Sequence, residues 1–214
     1  MSRTTYKHIR HKQKSAQFLK QTIVNHWLIY LLCLILLFGI LWGVLYTSSA
    51  SGQSFGYLQF LFNIHNTSIM EKSAVSIFTA SFSSGFIVLF ILFVLGFCAI
   101  GIPAILFMVL LQGFGFGLSA GYIYATVGTK GILYNICVFI PCMALLFFVI
   151  LHASKSAASM SISLFRLVFA FSDNDKVQVN VNEYFIKFIL FILFIFAKAL
   201  LETILVLLFS GLLK

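Results

Sequence analysis

Several uninterrupted apolar stretches, each exceeding the ~18 residues that mark a spanning helix, constrain the fold of this chain more than any other feature. Only 9% of the residues are charged, and the mean hydropathy is +1.07. A water-soluble domain carries roughly a quarter charged residues, so a soluble fold is excluded. We predict an all-α, polytopic integral membrane helix bundle with five transmembrane helices plus one interfacial amphipathic helix.

Aromatic residues, turns and prolines divide the apolar sequence into spans. Tryptophan and tyrosine stand near both ends of span one, as in the interfacial belts of membrane helices. A cleaved signal peptide is the competing interpretation, but the apolar core is longer than the ~7–15 residues usual in such peptides. The predicted spans are 27–46, 68–98, 103–125, 132–151 and 184–212.

Two prolines and one mixed stretch give local predictions. Gly101-Ile102-Pro103 predicts a hairpin between spans two and three, because proline cannot donate to the helix ladder; one bent helix over 84–126 is the alternative. Pro141 predicts a kink in the middle of span four. The stretch 153–171 contains Lys155 and Arg166 and predicts the interfacial amphipathic helix.

The net charge of +9 is distributed along the chain as membrane topology requires. Residues 1–26 form a basic tail without an acid, which we interpret as a cytoplasmic topology determinant, and 27–214 form the bundle domain. No nucleic-acid recognition motif accompanies the charge, so nucleic acid is not an expected partner. Five spans with the tail inside leave ten basic residues in the cytoplasm and three outside. We therefore expect a multi-pass protein of the cell membrane, with the N-terminus cytoplasmic and the C-terminus outside.

Glycines recur every fourth residue at Gly113, Gly117 and Gly121, and a second pair occurs at Gly39 and Gly43. Residues at this spacing share one face of a helix, and without side chains they allow another helix backbone to approach closely. We predict that both faces serve helix packing or partner binding.

Groups able to perform catalysis are scarce, so we predict no enzyme, no cofactor and no metal site. The spans contain one ionisable pair, Lys198 and Glu202, placed one helical turn apart. Placing an ionisable residue in a membrane helix costs free energy, so its presence there indicates a functional role. Three roles stay open for the pair: a structural ion pair, a docking point for a partner's membrane helix, or part of an ion or substrate path.

The run LQGFGFGLSAGYIYATVGTKGILYNICVFIP, from Leu111, resembles the central signature of the stage II sporulation protein M family. That signature is a Gly-Phe-rich helix, a short turn, and a helix with a mid-span proline. Family members often carry a polar residue after this proline, where the chain has Cys142. The resemblance implies a membrane scaffold of the engulfment machinery of endospore-forming bacteria. Such a scaffold recruits two partners that degrade peptidoglycan while the mother-cell membrane migrates around the forespore.

Two functions therefore compete. The first is a non-enzymatic scaffold whose partners are the lipid bilayer and membrane-anchored peptidoglycan hydrolases. The outward segment 48–67 is a candidate contact for the hydrolases, and contact of its aromatic residues with lipid is the alternative. The alternative is a permease-like transporter subunit that uses the Lys198–Glu202 pair. The sequence leaves assembly with further copies of the chain open.

Overall fold

The computed structural model describes residues 27–48, 74–127, 135–168 and 181–209. These ranges form five long helices: α1 (Trp27–Ser48), α2 (Ala74–Gly96), α3 (Ile102–Val127), α4 (Ile140–Val168) and α5 (Val181–Phe209). A π-helical turn, Asn135–Phe139, directly precedes α4. Each of the five helices in the described ranges is long and apolar enough to cross a membrane. The chain is therefore a multi-pass membrane protein with five candidate spans, and its described part is all-helical.

Contacts between the helices show that their directions alternate. Gly39 of α1 lies against Leu110 of α3, and Thr47 lies against Gly121, so α1 and α3 are parallel. Near the start of α2, Ser81 contacts the end of α5, whereas the end of α2 contacts the start of α5, so these two helices are antiparallel. Helices α1, α3 and α5 therefore run in one direction, and α2 and α4 in the other.

The chain reverses between α2 and α3 in a tight turn over residues 97–101. The Gly101 N–H donates to the Cys98 carbonyl oxygen over 3.0 Å, and a Cβ atom at Gly101 would collide with the carbonyl oxygen of Leu95. Only glycine fits this close approach of two backbone segments. The single bent helix over 84–126 is therefore wrong. We call the end of the bundle that contains this turn the turn end, and the opposite end the far end.

The C-terminal half of α4 corrects the prediction for 153–171. Residues up to Val168 continue α4, which has 29 residues and is about 43 Å long, and no additional amphipathic helix is present in the described part of the chain. Ser161 Oγ donates to the Cys98 carbonyl oxygen over 2.7 Å, and the Ala157 backbone lies against Gly96. Ala157 and Ser161 thus pack against α2 and the turn that follows it, because small residues allow close contact.

Pro141 also lies in a different position from the predicted one. It is the second residue of α4, immediately after the π-helical turn, and not the middle of a straight span. Because proline has no N–H to donate to the preceding turn, the hydrogen-bond pattern of the helix is interrupted there, and a π-helical turn is one form that such an interruption takes. The proline and the π-helical turn together mark where α4 begins.

The core of the bundle consists of aliphatic residues from all five helices, with aromatic rings at the turn end. Leu92, Ile105 and Val109 are completely buried. Tyr184 packs between Phe93 and Phe188, and its hydroxyl donates to the Phe93 carbonyl oxygen over 2.9 Å. The tail 1–26 and the part of the 48–67 segment after Ser48 lie outside the described residues.

Candidate functional site

A buried polar cluster joins α5 to α2. Lys198 Nζ donates to Glu202 Oε2, and Ser81 Oγ donates to the same carboxylate oxygen. Lys198 Nζ also donates to Ser81 Oγ over 3.0 Å. The Lys198 side chain is 5% exposed and that of Glu202 is 24% exposed. The ion pair lowers the free-energy cost of placing both charges within a membrane span. Of the two side chains, that of Glu202 is the more accessible.

A cavity of about 270 Å³ adjoins this cluster, and helices α2, α3, α4 and α5 all contribute to its walls. We call it the polar cavity. No hydrogen bond joins the Gln112 side chain, or Glu202 Oε1, to any other described residue. The polar residues lining the cavity are Ser76, Ser81, Ser84, Gln112, Ser119, Lys198 and Glu202.

The polar cavity lies in the far half of the bundle. Ser81 is about two helical turns from the start of α2, and Glu202 is about two turns from the end of α5. Cys142, near the start of α4, is 1% exposed, and the next residue, Met143, lines the cavity. The thiol therefore occupies the position after the proline, beside a residue of the cavity wall.

A second feature, the glycine seam, joins α1 to α3 and consists of Gly39, Gly43, Gly113, Gly117 and Gly121. A Cβ atom on Gly43 would lie 3.0 Å from the Cα atom of Gly117, and one on Gly117 would lie 3.1 Å from the Cα atom of Gly43. At Gly121 the neighbour is the Thr47 side chain, at 2.9 Å. The two backbones thus touch along the seam, where a side chain would force them apart.

Gly115, on the same helix, has a different environment. A Cβ atom there would meet nothing within 4 Å, and the residue is exposed at the wall of the polar cavity. One face of α3 is therefore in contact with α1, while another borders open space.

The structure places the residues selected from the sequence in two separate groups. The five glycines form the seam, in which the two faces contact each other, and Lys198 and Glu202 lie together in the cluster. Sequence reasoning did not select Ser81, Ser84 and Gly115 as site residues. The serines of α2 within an otherwise apolar span were a signal for Ser81 and Ser84, whereas no local signal distinguished Gly115 from the other glycines of α3. In the described ranges, no group of three or more His, Cys, Asp or Glu residues is arranged to hold a metal ion.

Comparison with known protein families matches residues 32–206 to Stage II sporulation protein M. The matched range begins within α1 and ends within α5, so it includes most of the chain and the whole of α2, α3 and α4. The chain belongs to this family. The resemblance seen from Leu111 onward is thereby confirmed.

Stage II sporulation protein M family members are generally non-enzymatic membrane proteins implicated in sporulation. Both the glycine seam and the polar cavity lie within the matched range. Searches of curated proteins and of solved structures found no significant match to the chain.

Proposed function

We propose that this member of the stage II sporulation protein M family is a non-enzymatic membrane scaffold of the engulfment machinery. It recruits peptidoglycan-degrading partners to the mother-cell membrane. The observation that carries this proposal is the family match over residues 32–206, which spans the five-helix bundle. Within a bilayer the bundle anchors the chain, and its exposed surfaces are available to partner proteins.

The glycine seam supports this function indirectly. Its two faces contact each other within one chain, so they hold α1 against α3. A recruited protein then binds at a surface outside the seam. The seam contributes to recruitment indirectly, because it holds α1 and α3 together within the bundle.

The proposed orientation has the turn end in the cytoplasm. Lys155 and Arg166 lie in the half of α4 that approaches the turn end, and Lys187 lies in the first part of α5. With the basic tail, these residues follow the positive-inside pattern. This orientation places the C-terminus outside the cell, so an alkaline phosphatase fused there should be active and a green fluorescent protein fused there should be dark. An inactive phosphatase and a fluorescent fusion would reverse the orientation.

Recovery of peptidoglycan hydrolases from sporulating cells tests the scaffold function. A tagged chain, solubilised in mild detergent, is expected to enrich them over an unrelated tagged membrane protein. A strain that lacks the chain is expected to stall in engulfment. If no hydrolase is enriched and engulfment proceeds normally without the chain, the scaffold function is wrong.

A permease-like transporter subunit is the second candidate, and the polar cavity with its ion pair is the observation that favours it. Polar side chains inside membrane bundles mark substrate or ion pathways in transporters. Flux through proteoliposomes that contain the purified chain separates the two functions. Transport that is abolished by Glu202→Gln would replace the scaffold with a transporter subunit.

A further inference from the structure

The polar cavity has two walls of small residues that follow the helix axes. Ser76, Ala80 and Ser84 recur every fourth residue on α2, and Gly115 and Ser119 do so on α3. Ala80, Ser84 and Gly115 are exposed, so the cavity opens at the surface of the bundle. The α2 wall extends for about 12 Å, the length of two turns of a helix.

Two polar groups that line the cavity lack hydrogen-bond partners within the described part of the chain. Glu202 Oε1 and the Gln112 amide make no hydrogen bond with another described residue. Hydrocarbon tails cannot satisfy such groups, and an unsatisfied polar group in an apolar medium costs several kcal/mol. An occupant that satisfies these two groups therefore brings polar atoms to the cavity.

The charge and exposure of Lys198 and Glu202 indicate which polar atoms an occupant would need. The Lys198 side chain is 5% exposed, and its ammonium donates hydrogen bonds to Ser81 and Glu202. The Glu202 side chain is 24% exposed, and its Oε1 atom accepts no hydrogen bond from another described residue. An occupant thus meets a carboxylate oxygen, which accepts hydrogen bonds. The complementary group is a hydrogen-bond donor, which is an N–H of lysine, arginine, asparagine or glutamine or the hydroxyl of serine or threonine.

The dimensions favour a helix over a free small molecule. The cavity, of about 270 Å³, is open at the surface of the bundle, and its α2 wall follows the helix axis for about 12 Å, so it is a groove and not an enclosed ligand pocket. Walls of serine, alanine and glycine permit the close approach by which membrane helices associate. We propose that a transmembrane helix of a recruited peptidoglycan-degrading partner packs into the polar cavity and donates a hydrogen bond to Glu202. This inference rests on the proposed function and names the surface that performs it.

Two variants fill the cavity and two controls leave it open. Ser84→Leu and Gly115→Leu add bulk at exposed positions of its walls, and nothing lies within 4 Å of the Cβ position of Gly115. Ala144→Leu and Ala197→Leu add the same bulk at exposed positions that do not line the cavity. All four proteins should elute as one sharp peak in detergent with the thermal midpoint of the wild type.

Recovery of the co-purified hydrolase is expected to fall at least about tenfold for the two cavity variants and to stay within about twofold for the two controls. If the folded cavity variants recover as much hydrolase as the wild type, the docking site is wrong, although the scaffold function stands. If the wild type itself recovers no hydrolase, the scaffold function fails and this inference fails with it.

Crosslinking in membranes identifies the occupant. Ser84→Cys is combined with single cysteines along the membrane helix of the recovered hydrolase, in a background with Cys33, Cys98, Cys137 and Cys142 replaced by serine, and the membranes are treated with a mild oxidant. We expect disulfides at every third or fourth position of that helix, on the face that carries its hydrogen-bond donor, and none with Ala144→Cys as the control. Disulfides between two copies of this chain, or none at all, would assign the cavity to a second copy, or to water and lipid, and would overturn the proposal.

Discussion

The two faces of α3 carry similar small residues and have opposite environments. Gly113, Gly117 and Gly121 lie in the glycine seam against the backbone or side chains of α1, whereas Gly115 borders the polar cavity with nothing within 4 Å of its Cβ position. The difference shows that four-residue spacing identifies a face able to accept a close neighbour. Whether a neighbour is already present depends on the rest of the bundle.

The largest effect is expected for Gly117→Leu. The added side chain meets the backbone of Ile40 and Gly43, which has no room to move while α1 stays in place. The free energy of unfolding should fall by more than about 4 kcal/mol, as in severe overpacking. Unfolding followed by circular dichroism in mixed detergent micelles measures it. Gly115→Leu is the matched control, and equal losses for the two variants would remove the distinction between the faces.

The next effect concerns the charges beside the cavity. Lys198→Met leaves Glu202 without its cation, and we expect a loss of about 2–3 kcal/mol, below the ~3–5 kcal/mol of a fully buried pair because Glu202 is 24% exposed. The double variant Lys198→Met/Glu202→Gln should be more stable than the single variant. Both are compared by the same unfolding assay. A double variant that is less stable than the single one would mean that Glu202 is stabilised without Lys198.

A smaller effect is expected at the end of the glycine seam. Gly121→Ala meets the side chain of Thr47, 2.9 Å from the added atom, whereas Gly117→Ala meets backbone. A side chain adjusts more readily than a helix backbone, so Gly121→Ala should cost about 1 kcal/mol and Gly117→Ala more. Midpoints of thermal unfolding in detergent rank the two variants, and the reverse ranking would contradict the observed packing.

The smallest effect is expected for Gly115→Ala. The methyl group enters open space, and alanine favours helix over glycine by about 1 kcal/mol in water. Stability should therefore stay unchanged or rise by up to about 1 kcal/mol in the same unfolding assay. Clear destabilisation would show that α1 or another part of the chain already covers this face.

Much of the architecture follows from local sequence. Apolar length fixes the five spans, and Gly101 with Pro103 separates α2 from α3, since both effects depend only on neighbouring residues. The four-residue spacing of Lys198 and Glu202 places both side chains on one face of α5, where they meet.

Contacts between distant segments could not be predicted in this way. Spacing identifies the glycine faces but not that α1 and α3 run parallel and contact each other. The Ala/Ser stretch of α4 has the composition of an interfacial helix, and only the α2–α3 turn beside Ser161 shows why it is buried. Similarly, Ser81 joins the ion pair because α2 lies beside α5, which no local pattern encodes.

The parallel contact between α1 and α3 has a consequence for biosynthesis. Roughly 70 residues separate Gly43 from Gly117, and ribosomes add about 5–20 residues per second, so α1 leaves the ribosome several seconds before its neighbour exists. During that interval the bare backbone face of α1 is held by lipid or by the insertion machinery. A nascent chain that stops after α2 therefore lacks the intramolecular neighbour that covers this face in the complete bundle.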